Sequence, residues 1–150
     1  MIALIQKSGP ARVEVENKIV GQIENGLVIL IGITQSDISK DIDYLVEKII
    51  NLRLFENEGK DFDQSIIETG KEILLISQFT LYASCNKGRR PDFTNAAKRD
   101  IAEPLYNELV SKLRAKNVKV ETGVFGAMMQ VHLVNEGPIT IILNSTDGNK

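Results

Sequence analysis

The stretch GLVILIGIT, residues 26–34, constrains the fold of this chain more than any other segment, because it is almost wholly apolar and rich in β-branched residues. A run of this kind is typical of a central strand that is buried on both faces of a sheet. The apolar segment EILLISQFTLYA, residues 72–83, predicts a second strong strand. The core is therefore expected to form around a β-sheet.

Two helices are predicted between the strands, because apolar residues recur there at helical spacing. Asp37 is placed to cap the first helix, and Asp100, with Glu103 three residues later, is placed to cap the second. Pro104 is expected in the first turn of the second helix or one residue beyond, where a missing amide costs least. The polar segment RLFENEGKDFDQS is predicted to be a loop. The apolar stripes consist of Ile42, Leu45, Val46, Ile49 and Leu52 in the first helix and Leu105, Leu109 and Leu113 in the second.

Short strands are predicted at both ends of the chain. Residues 2–6 and 12–16 precede a third short strand with turn residues around it, and VKVETG, AMMQVHLV and ITIIL form a terminal run of strands. Hairpin-like groups of strands with two inserted helices indicate a mixed α+β fold. We expect a largely antiparallel, barrel-like sheet with both helices packed on one face. The length of 150 residues predicts one domain covering residues 1–150.

The composition limits the classes of function that fit the chain. A net charge of −2 and a pI of about 5.5 argue against a protein that coats nucleic acid through a general basic excess. Two local basic segments remain, the loop NKGRRPDFTNAAKR and residues 111–119, although both are also typical of solvated surface. The single cysteine, Cys85, cannot form an internal disulfide, and no segment resembles a signal sequence or a membrane span. These features predict a cytoplasmic protein that does not associate with membranes.

Most familiar catalytic arrangements are missing from the sequence. It contains no GxGxxG or GxxxxGK[ST] motif, and one Cys and one His are too few for a metal site, so neither a metal nor a cofactor is predicted. His132 alternates with the apolar Val131 and Leu133, which predicts that it lies on the solvent face of a strand. In SQFTLYA, Ser77 and Gln78 interrupt the second strong strand. Backbone amides that leave the ladder there fit either an oxyanion hole or a β-bulge.

A Gly-Pro pair, Gly137 and Pro138, lies between the apolar segments VHLV and ITIIL. Proline gives no amide hydrogen to a ladder, and glycine tolerates backbone angles that other residues do not. By these local rules the pair predicts a tight hairpin between two strands.

The segments SQFTLYA and FGAMMQVHLVNEGPIT, residues 77–83 and 125–140, together resemble the two signature motifs of the D-aminoacyl-tRNA deacylases, the D-tyrosyl-tRNA deacylase family. The start MIALIQ and the loop KGRRPDF fit that family as well, and the similarity extends over residues 1–143. The resemblance implies a homodimer with its active site at the subunit interface. Such an enzyme hydrolyses the ester of D-aminoacyl-tRNA, and of glycyl-tRNA, without a cofactor.

The resemblance implies that the ester is held mainly by main-chain groups of the first motif. No side chain is essential in this interpretation, because an aminoacyl ester is already activated and the 2′-hydroxyl of the terminal ribose assists the reaction. This agrees with the lack of a recognisable general base in the sequence. The residues assigned to catalysis are Ser77, Gln78, Phe79 and Thr80.

The second motif is implied to select the substrate by its chirality. Gly137 and Pro138, joined by a cis peptide bond, would enter the partner subunit's pocket and clash with an L side chain. Asn135 and Met129 are assigned to the same selection. The residues expected to contact tRNA are Lys87, Arg89 and Arg90, with further phosphate contacts from residues 112–119.

Two residues depart from the family pattern. Lys7 stands where many members have Arg, and Met128 stands where many have Asp. Lysine lacks the planar donor fork of arginine, so a weaker hold on the Gly-Pro segment is expected. Two other functions stay open: a noncatalytic tRNA-binding module of the same fold, and an esterase for small D-amino acid esters that needs no tRNA.

Overall fold

The computed structural model describes residues 1–86 and 88–149, and its strands and helices are interspersed along the chain. The strands are β1 (Ile2–Val15), β2 (Lys18–Ile23), β3 (Gly26–Gly32), β4 (Phe55–Asn57), β5 (Lys60–Gln64), β6 (Glu72–Ser77), β7 (Val120–Thr122) and β8 (Gln130–Asn144). The helices are α1 (Ser39–Asn51), α2 (Ile66–Thr69) and α3 (Arg99–Ala115), with 3₁₀ turns at Phe79–Tyr82 and Ser145–Asn149.

Strand β1 is the centre of the main sheet. One part of β1 pairs antiparallel with β3 and another with β2, while β8 pairs antiparallel along most of its length. β6 and β7 continue the sheet from β3 as parallel strands. At the far seam, Gly21 of β2 lies so close to the carbonyl oxygen of Thr122 in β7 that a side chain would not fit between them. The sheet is therefore a nearly closed barrel, and the predicted mixed α+β class is confirmed.

Helices α1 and α3 pack on one face of the sheet, as predicted, and the main hydrophobic core lies between them and strands β1, β3 and β6. A smaller apolar cluster fills the opposite side of these strands and includes residues of β2. Within residues 1–86 and 88–149, no helix has the length and apolar character that crossing a membrane requires. The buried residues of the two helices are Ile42, Leu45, Val46, Ile49 and Ile50 in α1, and Ala102, Tyr106, Leu109, Val110 and Leu113 in α3.

The predicted cap of α1 is wrong. The Asp37 carboxylate instead accepts hydrogen bonds from the ammonium group of Met1 (2.6 Å) and from the amide of Thr34 (2.8 Å). The N-cap residue is Ile38, whose amide donates to the Asp41 carboxylate (2.9 Å). Asp37 is thus used for a buried ion pair, which a local capping rule does not anticipate.

Other predicted boundaries also differ from the structure. The N-cap of α3 is Lys98, so Asp100 lies in the first turn rather than capping it, and Pro104 lies beyond that turn. The first two predicted strands are one continuous strand, β1. The predicted loop after α1, residues 53–65, contains the β4–β5 hairpin and ends at Ser65, the N-cap of α2. The second strong strand ends at Ser77.

The predicted hairpin at the Gly-Pro pair is wrong, because both apolar segments belong to the single strand β8. Thr140 pairs with Gln6 of β1, and Asn135 pairs with Ser8. An advance of two residues on β1 therefore matches an advance of five on β8, and the extra residues leave the ladder as a bulge. We call residues 136–139 the Gly-Pro bulge. The Gly137–Pro138 bond within it is cis, as the resemblance implied.

Candidate active site

A cavity of about 620 Å³ opens at the carboxyl ends of the parallel strands β3 and β6. The four residues assigned to catalysis, 77–80, all lie in its wall. The first motif therefore borders a largely apolar cavity. The other lining residues are Leu30, Ile31, Ile33, Ile76, Ala97, Ala102, Phe125, Gly126, Ala127, Met128, Met129, Val131 and Leu133.

The backbone turns where β6 ends. The amide of Gln78 still donates to the carbonyl of Ile31 (2.7 Å), and the amide of Leu81 donates to the carbonyl of Gln78 (3.4 Å) to open the 3₁₀ turn. In such a turn each amide bonds to the carbonyl three residues earlier, so the first amides, those of Phe79 and Thr80, have no acceptor within it. Both residues line the cavity. Two neighbouring main-chain donors are thus available at the cavity wall.

The described residues that line the cavity include no acid or base. The polar lining side chains are a serine, a glutamine and a threonine of the first motif. Tyr82, at the end of the 3₁₀ turn, has its pKa raised by burial and by the nearby Asp37 and Asp41, so its hydroxyl stays protonated at neutral pH. The cavity therefore offers main-chain donors but no side chain suited to act as a general base at neutral pH.

His132 lies outside the cavity, on the solvent side of β8 as predicted. Its side chain is 43% exposed, and its Nε2 lies 3.6 Å from Oε1 of Glu14. Arg12 donates a hydrogen bond to the same oxygen (2.7 Å), and this bond lowers the pKa of the Glu14 carboxyl. The three side chains form a surface network that is separate from the cavity.

The Gly-Pro bulge does not line the cavity of its own chain. Gly137 and Pro138 are exposed, and Gly137 has a φ of +111°, which residues with a side chain rarely adopt. A hydrogen bond from Asn135 Nδ2 to Thr140 Oγ1 (2.9 Å) closes the base of the bulge. Asn135 therefore supports the bulge from the point where β8 leaves the ladder.

Lys7 and Met129 lie in different parts of this arrangement. Lys7 of β1 places its Nζ 3.8 Å from Oε2 of Glu136, at the start of the bulge, and 5.9 Å from the centre of the Phe55 ring. Met129 lines the cavity instead, so within one chain it lies with the first motif and not with the bulge. Met128 projects from the cavity rim and is 92% exposed.

The basic loop begins and ends beside the cavity. Two main-chain hydrogen bonds between Ser84 and Asp92 (2.8 and 2.9 Å) close its base. Phe93, the next residue, packs edge-on against Phe79 in the cavity wall, with ring centres 5.0 Å apart. The loop residues assigned to tRNA contact are Arg89 and Arg90, which are exposed, and Lys87, which lies outside the described residues.

In the second basic segment, residues 111–119, Arg114 donates to the carbonyl of Val120 (3.2 and 2.7 Å), and the lysines are paired with acidic side chains. These ion pairs join α3 to α1 and connect the end of the segment to β6. Phosphate contacts from residues 112–119 therefore stay a prediction, in which the phosphates would compete with these acidic side chains. The pairs are Lys112 with Asp43 and Glu108, Lys116 with Glu47, and Lys119 with Glu72.

Comparison with known proteins decides the family. Residues 4–144 match the model of the D-Tyr-tRNA(Tyr) deacylase family. The chain belongs to this family. It is 52% identical over 145 residues to the D-aminoacyl-tRNA deacylase of Thermosipho africanus, with 97% of each chain covered. It is 47% identical over 146 residues to that of Clostridioides difficile, with 97% of this chain and 98% of the relative covered.

A solved structure shares the fold of this chain. The structure of a c-Myc DNA Unwinding Element Binding Protein is 40% identical and superposes with a TM-score of 0.90, covering 96% of this chain and 98% of that one. The membership predicted from the two motifs is confirmed, and the chain is an enzyme of the deacylase family.

Gly32 lies against the 3₁₀ turn that borders the candidate site, and this contact was not predicted. A β-carbon at this position would lie 2.9 Å from Cβ of Leu81 and 3.3 Å from the carbonyl oxygen of Gln78. Gly32 therefore lets the 3₁₀ turn approach the end of β3. The available signal was a glycine near the end of GLVILIGIT, because an isolated strand glycine often marks the close approach of another backbone segment.

We expect Gly32→Ala to lower kcat/KM for D-Tyr-tRNA about 10²-fold, because a methyl group would push the turn and its two free amides out of position. The release of D-tyrosine at steady state measures this effect. Gly21→Ala is the matched control, since it also forces a side chain against backbone, but at the β2–β7 seam. The control should lower the unfolding temperature and leave kcat/KM unchanged where the protein is folded. Equal losses in both variants would show that Gly32 acts only through stability.

Proposed function

We propose that this chain hydrolyses the ester bond of D-aminoacyl-tRNA and releases tRNA and a free D-amino acid in the cytoplasm. The observation that carries the proposal is the 3₁₀ turn, which presents the amides of Phe79 and Thr80 at the wall of a cavity without acids or bases. Curated relatives that match this chain over nearly its whole length bear the name of this activity, which supports the substrate class.

The proposed chemistry follows from the charge that develops during hydrolysis. Water adds to the ester carbonyl and places negative charge on its oxygen, which the amides of Phe79 and Thr80 stabilise. Removal of one such donor typically lowers the rate about 10²- to 10³-fold. The bond from the carbonyl carbon to the ribose oxygen then breaks, and the proton lost by water passes to that oxygen with the help of the neighbouring 2′-hydroxyl. No enzyme base is needed, because the aminoacyl ester is already reactive.

Chirality is selected in this proposal by the Gly-Pro bulge of a second subunit. The bulge is exposed, lies outside the cavity of its own chain and is held at its base by the bond between Asn135 and Thr140. When inserted beside the partner's first motif, its main-chain carbonyls would bind the substrate amino group and leave no room for an L side chain. Glycine has no side chain to exclude, so glycyl-tRNA is also accepted.

Strand β8 supports the proposed homodimer. Among the strand pairings of residues 1–86 and 88–149, β8 pairs only with β1, which leaves its outer edge open to another chain. Val134 and Ile142 of this strand are 60% and 66% exposed. Exposed apolar side chains on an open edge strand are typical of a surface that is covered by a partner.

Contacts with the tRNA are assigned to the basic loop. Arg89 and Arg90 are exposed, and the loop is closed beside the cavity wall by the Ser84–Asp92 bridge. Phosphates of the acceptor end would bind there through charge, without reading the sequence. Because the net charge of the protein is −2, this loop would attract phosphates as a local basic patch.

A noncatalytic nucleic-acid-binding function is the second candidate. One similar solved structure is that of a DNA Unwinding Element Binding Protein, and the basic loop would suit such a role. This function predicts salt-sensitive binding of tRNA without any cleavage of the ester.

We expect the protein to release D-tyrosine from D-Tyr-tRNA at least about 10²-fold faster than L-tyrosine from L-Tyr-tRNA, which corresponds to about 2.7 kcal/mol of discrimination. Incubation with each substrate and separation of free from bound amino acid measures both rates. Binding without release from the D form would favour the noncatalytic candidate, and equal release from both forms would exclude chiral selection. Cleavage of a simple D-tyrosine ester at the same rate would indicate an esterase that needs no tRNA.

Thr80→Ala should keep kcat within about tenfold of the unchanged protein, because the proposed donor at this position is the main-chain amide and not the hydroxyl. Single-turnover hydrolysis of D-Tyr-tRNA at saturating enzyme measures the chemical step. A loss of about 10³-fold or more, with an unchanged unfolding temperature, would instead identify the Thr80 hydroxyl as a nucleophile or essential donor.

Mixed dimers test whether the bulge acts across the subunit interface. Gly32→Ala impairs the cavity, and Gly137→Ala impairs the bulge, since a β-carbon at Gly137 would lie 2.8 Å from the amide nitrogen of Ile139. Each variant alone should be about 10²-fold or more below the normal activity on D-Tyr-tRNA. Random mixing of the two should restore about a quarter of the normal activity, because about half of the dimers are mixed and each of these has one intact site.

A bulge that served the cavity of its own chain would give no such recovery. The same two variants kept as separately folded proteins, combined without subunit exchange, provide the control. Size-exclusion chromatography with light scattering verifies that both variants form dimers.

A further inference from the structure

Two phenylalanines form an exposed aromatic pair at the edge of the cavity. Phe79 lies in the cavity wall and is 55% exposed, while Phe93 is 37% exposed and is not among the lining residues. Their ring centres are 5.0 Å apart and their planes meet at 69°. One ring of the pair thus borders the cavity, and the other extends the aromatic surface away from it toward the basic loop.

The segment that carries Phe93 is fixed from both sides. Before it, Asp92 is held by the bridge to Ser84, and its carboxylate accepts hydrogen bonds from the amide (2.9 Å) and hydroxyl (2.8 Å) of Thr94. These bonds also lower the pKa of the Asp92 carboxyl, so it stays ionised and able to accept both of them at neutral pH. An exposed aromatic ring is therefore held in a fixed place by polar contacts of its neighbours.

The segment after Phe93 is attached to the end of β3. The Thr34 hydroxyl donates to the carbonyl of Asn95 (2.6 Å), and the amide of Ala97 donates to the carbonyl of Ile33 (2.9 Å). Because β3 also bonds to the first motif, Phe93 and the reacting centre are held by the same strand. Strand β3 therefore fixes the distance between Phe93, which lies outside the cavity, and the first motif, which lies in the cavity wall.

We propose that Phe79 and Phe93 form a stacking platform for an unpaired base of the tRNA 3′ end, just outside the cavity. This proposal rests on the proposed function, in which the terminal adenosine ester occupies the cavity. The tRNA 3′ end would pass over the two phenylalanine rings as it leaves the cavity. The exposed Arg89 and Arg90 precede Phe93 by only a few residues. Single-stranded RNA presents base faces and phosphates. Aromatic rings can stack on the base faces, and basic side chains beside them can bind the phosphates.

The low aromatic content of the chain, 5% with no tryptophan, argues against an extended base-stacking surface but leaves room for a platform for one base. A platform for one base needs one or two rings, and every base has a face that stacks, so the contact is tolerant of sequence. The platform would increase the affinity for an unpaired 3′ end without selecting among tRNAs.

The test compares two apolar replacements of Phe93, one with an aromatic ring and one without. Phe93→Leu keeps an apolar side chain but cannot stack, whereas Phe93→Trp keeps an aromatic face. Their dissociation constants are measured for an uncharged acceptor-stem minihelix with an unpaired 3′ end and for the same stem with a blunt end. We expect Phe93→Leu to weaken binding of the first RNA about 5- to 100-fold relative to Phe93→Trp, with no such difference for the blunt stem.

Phe62→Leu is the matched control, because Phe62 is also exposed (56%) but lies on the β4–β5 hairpin, away from the cavity lining. It should leave both dissociation constants unchanged. Equal binding by the Leu and Trp variants at position 93, or equal losses on both RNAs, would overturn the platform. Equal RNA binding together with weaker dimerisation of Phe93→Leu would likewise overturn it and assign the pair to a contact between subunits.

The binding test separates this inference from the proposed function. The minihelix carries no ester, so the result does not depend on hydrolysis. If the protein fails to release D-tyrosine but the variants still differ on the unpaired 3′ end, the deacylase proposal falls and the platform stands. If hydrolysis is observed and the variants do not differ, the platform falls alone.

Discussion

The pairing of β1 with three other strands is the interaction on which the rest of the structure depends. On one edge, residues 2–8 of β1 bind β3 and residues 11–15 bind β2, while β8 occupies the other edge. The change of partner falls at Gly9 and Pro10, neither of which pairs with β2 or β3. Proline has no amide to give a ladder, so this position loses no hydrogen bond. Beyond it, the side chains of β1 enter the second apolar cluster instead of the main core.

The candidate site is a consequence of this arrangement. Because β3 is held between β1 and β6, the carboxyl ends of the two parallel strands meet at one edge of the sheet. The chain must leave β6 at that edge, and Gly32 allows it to turn directly against the end of β3. Amides without internal acceptors therefore appear where apolar side chains from the sheet and from α3 enclose a cavity. The position of these candidate donors is set by strand pairing and not by side-chain chemistry.

The sequence predicted the long-range framework better than the boundaries. The apolar run of β3 and most of the stripes of α1 and α3 were identified correctly, because burial imposes a clear periodicity on them. Of the predicted stripe residues, Leu52 lies just beyond α1 and Leu105 is only partly buried. The failures arose where a tertiary contact overrides a local rule: Asp37 binds the ammonium of Met1 instead of capping α1, and the Gly-Pro pair stays within β8 instead of making a hairpin. A local rule does not see that β1 holds both halves of β8 in register. Gly32 was missed for the same reason, since its constraint comes from a turn that is distant in sequence.

The first motif was located from its polar break and its resemblance, and the structure places all four of its residues in one cavity wall. Met129 and the Gly-Pro bulge were expected to act together, yet they lie in different parts of one chain. No pattern in a single sequence distinguishes residues that meet within a subunit from residues that meet between subunits.

The bulge in β8 affects how the sequence of such a protein can change during evolution. Residues 130–135 and 140–144 are each paired with β1, so the ladder continues on both sides of the excursion. The length and shape of the excursion can therefore vary while the register of the strand stays the same. A lineage could alter which esters the proposed site accepts by exchanging a few residues that contribute little to the folded core. In the proposed site, substrate choice and fold stability would thereby be set by different residues of the same strand.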